Sequence, residues 1–398
     1  MHRLPVSENS YWRDFYPEQN LYSELLEDVT VDVVIVGAGI TGMTTAYLLK
    51  KAGLTVAVLD KSTVGGGTTG RTTGKVTSQH GLNYDKLRQK LGRGTAQTYA
   101  NANQAAINQI EAIITTERIE CDWHRADNYV YTTDPKRITT FKQEAIVSND
   151  LGLPASFETS SPLPFAIQAA IKYTDQANIN AQKYVLGLAK SVDGDGSYVF
   201  EHSTVIGIRD GKPGRVKTAK AKVTADHIIV TSSVPTLPLI ARVSYAAKEY
   251  PMESYIVAGT MPGELKGMYI SPDKDNYSIL PTEIAGRPML LIGGEGHIWG
   301  LRGNRQARFE RLAAYASKHF GVQTISNRWS DRDYLAHDNV PVVGKMYPWS
   351  KELYVATAFK KWGLSNGTVA AMILRDTLVG TKNPWAKTFD SRRSILFK

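Results

Sequence analysis

The sequence predicts an α/β chain: a nucleotide-binding βαβ unit opens it, an α/β segment closes it, and an antiparallel sheet lies between. Three observations predict this. The run Val33-Val34-Ile35-Val36-Gly37-Ala38-Gly39-Ile40-Thr41-Gly42 puts a buried apolar strand directly before Gly-x-Gly-x-x-Gly and a helix. Short apolar runs at 255–258, 267–270, 277–280 and 289–292 are spaced like a meander. A strand-like Leu353–Thr357 and a helix-like Thr368–Leu378, ended by Gly380, complete the chain.

In the first unit each residue type has a physical task. Gly37 allows a tight turn, Gly39 lets the backbone approach a pyrophosphate, and Gly42 lets helix and strand pack closely. Ala46, Leu48 and Leu49 face back at helical spacing, and Gly53 closes the helix. The free N–H groups at the helix start point toward the phosphates. A second strand, Thr55–Leu59, ends on Asp60, where an acid about 20 residues on accepts hydrogen bonds from an adenosine ribose. These parts in register read as a dinucleotide site.

Composition bounds the rest. With 398 residues, 42% of them hydrophobic, the chain has core enough for two domains. A single cysteine, Cys121, makes no internal disulfide and builds no cysteine metal or iron–sulfur site, and the scattered histidines imply no metal. The acidic start, with Glu8, Asp14, Glu18, Glu24, Glu27 and Asp28, is not a secretory leader, and no stretch is long and apolar enough for a membrane span. The expected compartment is the cytoplasm. The net charge of +9 is dispersed, without basic runs or interleaved aromatics, and reads as a solvated surface rather than a nucleic-acid face.

Along the chain, Tyr11 and Trp12 are expected to pack on the body. Residues 65–75 form a loop rich in glycine and hydroxyls. Asn83–Glu117 reads as helical, Tyr129–Tyr131, Thr204–Ile208 and His227–Thr231 as strands, and Arg305–His319 as a helix. Gly363-Leu364-Ser365-Asn366-Gly367 fits Gly-x-Ser-x-Gly between a strand and a helix, the setting of a hydrolase nucleophile. No histidine follows His337, so that reading fails and Ser365 becomes a turn residue before the helix at Thr368.

Three stretches carry a resemblance. They are the fingerprint from Gly37 to Asp60, the loop Gly67-Thr68-Thr69-Gly70-Arg71-Thr72-Thr73-Gly74-Lys75, and the closing His337-Asp338-Asn339-Val340-Pro341-Val342-Val343-Gly344 with Ala356–Gly367. Together they resemble the D-amino-acid oxidase/glycine oxidase superfamily of FAD-dependent oxidoreductases, over nearly the whole chain and more weakly in its middle. The Thr-Thr-Gly-x-Thr-Thr loop and the Phe-x-Lys-Trp-Gly stretch are most similar to a bacterial subgroup often fused to a C-terminal Rieske domain. This chain stops at Lys398 without one, so the member lacks that domain or the chain is a fragment.

The resemblance implies an FAD-binding Rossmann-like domain of the glutathione-reductase βαβ type, and an α+β substrate domain on a mixed or antiparallel sheet. The expected FAD domain comprises 1–108, 170–240 and 330–398; the substrate domain comprises 109–169 and 241–329. The implied cofactor-binding set is Gly37, Gly39, Ile40, Thr41, Gly42, Asp60, Lys61, Gly67, Thr68, Thr69, Arg71, Thr72, Thr73, Gly74, Lys75, Val205, Thr231, Ser232, Gly344, Lys361, Trp362, Gly363 and Leu364.

His297, Lys361 and His80 are the catalytic candidates. His297 follows an expected strand, His80 follows the glycine-rich loop, and Lys361 is a cation at a strand end beside the expected flavin. The implied chemistry is oxidation of a C–N bond in an amine or amino acid by hydride transfer to flavin N5. Electrons then pass to oxygen or to a separate protein. Two alternatives stand beside it: a dehydrogenase serving a Rieske-type partner, and a flavin-binding redox sensor without turnover.

Overall fold

The computed structural model describes residues 4–15, 21–232, 245–274, 276–284, 286–301 and 303–394. Val33 to Val36 are β-branched throughout and almost wholly buried, as a parallel strand covered on both faces requires. Their strand, Val29–Val36, lies between Lys222–Val230 and Val56–Leu59, parallel to both. Tyr198–Phe200 extends the parallel sheet beyond Val56–Leu59. Leu353–Thr357 extends it on the other side, and Val342–Lys345 closes that edge antiparallel. Helices Ile40–Lys51 and Gly363–Leu378 pack on this sheet side by side.

The second sheet runs in the order Ile325–Ala336, Glu249–Thr260, Arg287–Ile298, Ser278–Ile284, Met268–Ile270, His124–Thr132, Ala169–Asn178 and Lys75–Val76. It is mixed, because Met268–Ile270 pairs parallel with Asn128–Val130 while its other neighbours are antiparallel. Side chains alternate across it. Tyr255, Val257, Leu290 and Ile292 pack under the helix Arg305–Phe320. Ile256, Ala258, Met289, Leu291 and Trp329 face the other way, against Tyr11 and Trp12. The divisions expected at 169/170 and 329/330 both fall within strands of this sheet, and Lys75–Val76 carries the glycine-rich loop into it.

Several elements differ from their sequence reading. The helical stretch Asn83–Glu117 is two helices, Tyr84–Leu91 and Arg93–Glu117, parted at Gly92, whose φ of +85° suits glycine and breaks the hydrogen-bond ladder. Of Thr204–Ile208 only Gly207 and Ile208 are in a strand, Gly207–Arg209. The residues before it form a crossing held by Ser203 N–H donating to the Asp60 carbonyl at 2.7 Å. The C-terminal helix begins at Gly363 rather than Thr368, so Ser365 lies in its first turn. His297 lies inside a strand rather than after one, because Arg287–Ile298 continues through Gly293, Gly294 and Gly296.

Candidate cofactor and active site

The fingerprint turn is steric in origin. Gly37 has φ +113°, and a Cβ there would lie 3.0 Å from Thr231 Oγ1 and 3.1 Å from Ser232 N. A Cβ on Gly42 would lie 1.9 Å from the Gly37 carbonyl oxygen, so the helix can start this close only with glycine. Thr69 Oγ1 accepts from Ile40 N at 2.9 Å and would be 3.0 Å from a Cβ on Gly39. Asp60 accepts from Ala38 N and Ser62 N, both at 2.8 Å, and so braces the turn from the end of the second strand. Lys61 beside it is exposed, and Val205 follows Ser203 across the same strand end.

A second helix start meets the first. A Cβ on Gly367 would lie 2.5 Å from Thr41 Oγ1, so Ile40–Lys51 and Gly363–Leu378 approach closely near their N-termini. Two helix dipoles then converge, which makes an anion cradle. Positions above Gly67 and Gly363 are open, with nothing within 4 Å of an added Cβ. These features fit a dinucleotide. The Leu364 side chain lies in the core, which leaves only its backbone open to a ligand. Gly344 is set back in the edge strand, paired with Val355, and an added Cβ would meet Ser391 Oγ at 3.2 Å.

The loop from Gly67 to Lys75 bridges the two sheets. Thr68 Oγ1 donates to the Arg332 carbonyl at 3.3 Å, and the Arg71 carbonyl accepts from Trp329 Nε1 at 2.8 Å. The Thr72 carbonyl accepts from Trp12 Nε1 at 2.7 Å. Gly74, at φ +90°, accepts from Ile179 N at 2.9 Å. Thr73 Cγ2 lies 3.7 Å from where a Cβ on Gly293 would be. Lys75 is 5% exposed, and its ammonium donates to the Tyr269 carbonyl and to Ser278 Oγ, each at 2.6 Å. Burial pulls its pKa down to about 7.

On the other side the turn before the C-terminal helix is strained. Ala358, Lys360 and Lys361 have φ of +63°, +54° and +67°, a region that disfavours residues with a Cβ. Lys360 Nζ donates to Asn83 Oδ1 at 2.8 Å. Lys361 N donates to Asp333, and Lys361 Nζ would be 3.0 Å from a Cβ on Gly296, so its ammonium overlies the second sheet. Desolvation by the surrounding protein lowers the Lys361 pKa, opposed by the nearby Asp333 carboxylate. Trp362 stacks on His80 with ring centres 4.9 Å apart.

The structure joins His80 to this cluster and separates His297 from it. His80 Nδ1 is 2.6 Å from Tyr99 Oη, and Nε2 is 2.8 Å from the Thr77 carbonyl and 3.0 Å from Ser365 Oγ. The network assigns the proton to Nε2. Burial lowers the pKa to about 3, so the imidazole is neutral at pH 7. His297 stacks on Tyr255, on the sheet face covered by Arg305–Phe320, and its Nε2 is 3.9 Å from Glu253. Gly293 and Gly296 of the same strand face Thr73 and Lys361 instead.

The sequence reading missed Ser254, Asp331 and Asp333. Asp331 and Asp333 are two apart in a strand and so share a face. That spacing was the available signal. Burial raises the Asp333 pKa to about 6, although it accepts from Tyr334 N at 2.8 Å. Asp331 faces Arg71 at 3.6 Å. Among the described residues, Ser254 Oγ and Asp331 Oδ2 are buried without a hydrogen-bond partner.

This two-sheet architecture, with a glycine cradle bridged to a mixed sheet, defines a class. The chain belongs to the DAO family of FAD-dependent oxidoreductases, whose pattern it matches over residues 32–377. It is 30% identical over 394 residues to YhfW of Bacillus subtilis, a protein named for a Rieske 2Fe-2S cluster, covering 98% of this chain and 77% of that one. It is 24% identical to the gamma-glutamylputrescine oxidoreductase of Escherichia coli, covering 93% of this chain and 88% of that one. Glycine oxidase from Geobacillus kaustophilus shares the fold, with a TM-score of 0.78 at 19% identity, covering 92% of this chain and all of that one. The protein is therefore an FAD-dependent oxidoreductase related to amine and amino-acid oxidases. Among the described residues no helix is long and apolar enough to cross a membrane.

Proposed function

We propose that this protein binds FAD from Asp60, past the paired helix starts, to the Thr73–Lys75 end of the loop, and oxidises a C–N bond of an amine or amino acid. The observation that carries the reading is the convergence of Gly37–Gly42 and Gly363–Gly367 beside a loop that crosses to the second sheet. In this reading Asp60 takes the adenosine ribose, and the N–H groups of both helix starts take the pyrophosphate. Thr72, Thr73 and Gly74 border the ring. When bound, FAD supplies a two-electron acceptor whose N5 takes a hydride from the carbon beside nitrogen.

The chain's own residues orient and desolvate. Trp362, fixed by His80, walls one side of the cleft, and on the other Gly296 lets the Lys361 ammonium lie close over the second sheet. Lys361 supplies a cation at that wall. His80 is a positioning residue in this scheme, because both its nitrogens are engaged. His297 has no part in it. We also propose two discontinuous domains divided as the sheets divide, with 75–76, 169–178 and 325–336 belonging to the substrate half.

Similarity to YhfW favours a second reading, in which electrons pass to a Rieske-type protein rather than to oxygen. The test is anaerobic mixing of the FAD-loaded protein with a panel of amines and amino acids. Bleaching of the flavin band by a member of the panel is expected. Failure of every member, or recovery of a nicotinamide cofactor in place of FAD, would sink the proposal. Fast reoxidation by air identifies an oxidase; slow reoxidation with fast transfer to an iron–sulfur protein identifies the dehydrogenase.

A further inference from the structure

Lys75 is a buried amine that, among the described residues, has no counterion. Among the described residues no carboxylate pairs with its ammonium, whose bonds go to a carbonyl and a hydroxyl, both neutral. An isolated buried ammonium is costly, and burial drives such a lysine toward its neutral form unless a negative charge comes to lie beside it. The question is which charge.

Position answers it. Thr69, at the near end of the loop, touches the fingerprint turn. From there the chain crosses to the second sheet, where Lys75 pairs with Asn178. Its two anchors come from neighbouring strands, Met268–Ile270 and Ser278–Ile284. Ser278 pairs with Gly293, and Ser278 Cβ and Thr73 Cγ2 lie 3.6 and 3.7 Å from the point where a Gly293 Cβ would be. Lys75 is thus fixed at the far end of the loop, beside the place where Thr73 meets Gly293. The phosphates belong to the opposite end. The part of FAD that the proposed binding mode brings to Lys75 is the ring, which is uncharged when oxidised and electron-rich when reduced.

We propose that Lys75 is a positioning residue whose ammonium, clamped between Tyr269 and Ser278, stabilises the reduced over the oxidised cofactor and so sets its potential. This rests on the reading of the protein as an FAD enzyme. The charge is met only on reduction, which explains why the resting fold leaves it unpaired. A neutral residue of similar length would fill the same space without that preference.

The test is the midpoint potential of bound FAD, by equilibration with a reference dye, in wild type, Lys75→Met, Lys75→Gln and Lys75→Arg. The neutral variants should retain FAD and favour the reduced state at least about tenfold less, a fall of about 30 mV for two electrons. Lys75→Arg should stay within about threefold of wild type, since it keeps the charge. Ser278→Ala, which loosens the clamp, should fall between. Wild-type potential in Lys75→Met with a raised KM would assign the lysine to substrate and overturn the proposal. Loss of FAD from both neutral variants, with retention by Lys75→Arg, would assign it to cofactor binding and overturn it equally; loss from all three would show a structural role and do the same. If wild-type protein binds no FAD, the enzyme reading itself fails. A normal potential in a neutral variant that holds FAD removes this inference alone.

Discussion

His80 shows how surroundings set the role of a residue. A lone histidine after a glycine-rich loop reads as an acid or base, but here Tyr99, Thr77 and Ser365 occupy its nitrogens and Trp362 covers its ring. Its folded pKa is about 3 against an ordinary 6.5. The unfolded chain therefore binds a proton more readily between those values, so the contribution to stability is complete above pH 6.5 and is lost as pH falls toward 3. His80→Gln should melt with a shallower pH dependence across that window than wild type. At pH 7.5 it should cost on the order of 1–3 kcal/mol through groups left unpaired. Chemical denaturation across pH checks both, and parallel curves for the two proteins would refute the assignment. His297 is the opposite case: strand alternation turns it away from Gly296, one residue before it, and onto Tyr255.

At the scale of elements, the decisive contact is between two helix starts. Gly42 and Gly367 are the points where a Cβ would collide, with the Gly37 carbonyl and with Thr41 Oγ1. Gly42 was readable from the fingerprint alone. Gly367 was not, because its partner is more than three hundred residues away in the sequence, and the same glycines resembled a hydrolase elbow. Gly367→Val should force the helices apart, cost about 1–3 kcal/mol by overpacking, and release FAD on desalting. Urea unfolding and absorbance of the flow-through measure the two effects. Wild-type flavin content in that variant would mean that the second helix start does not hold the pyrophosphate.

At the scale of the molecule, the proposed site draws on both sheets. Asp60 and Gly37 belong to one sheet, Gly293, Gly296 and Asp333 to the other, and the Gly67–Lys75 loop and the Lys361 turn join them. A ligand spanning both should stabilise them together. FAD at a hundredfold excess over its Kd should add about 2.7 kcal/mol and move a single thermal transition upward. A melt in which FAD shifts only an early, partial transition would mean that one sheet binds it alone.

The sequence by itself determined the parallel βαβ unit, the dinucleotide fingerprint, the four strands between 255 and 292 and the family, because these rest on local period and on glycines whose reasons are local; the simple meander expected of those strands was wrong, since Glu249–Thr260 pairs with Arg287–Ile298 rather than with Met268–Ile270. Tyr255–Ala258 and Met289–Ile292 were legible as strands from their apolar runs alone. Tertiary structure decided which sheet each strand joins, as with Ala169–Asn178, and which face each side chain takes. It alone buried Lys75, set Tyr99, Thr77 and Ser365 around His80, and made Lys361 a strained residue over Gly296. The physical reason is that burial, hydrogen bonding and charge compensation belong to neighbours in space. Nothing in the residues flanking Lys75 announces Tyr269 or Ser278.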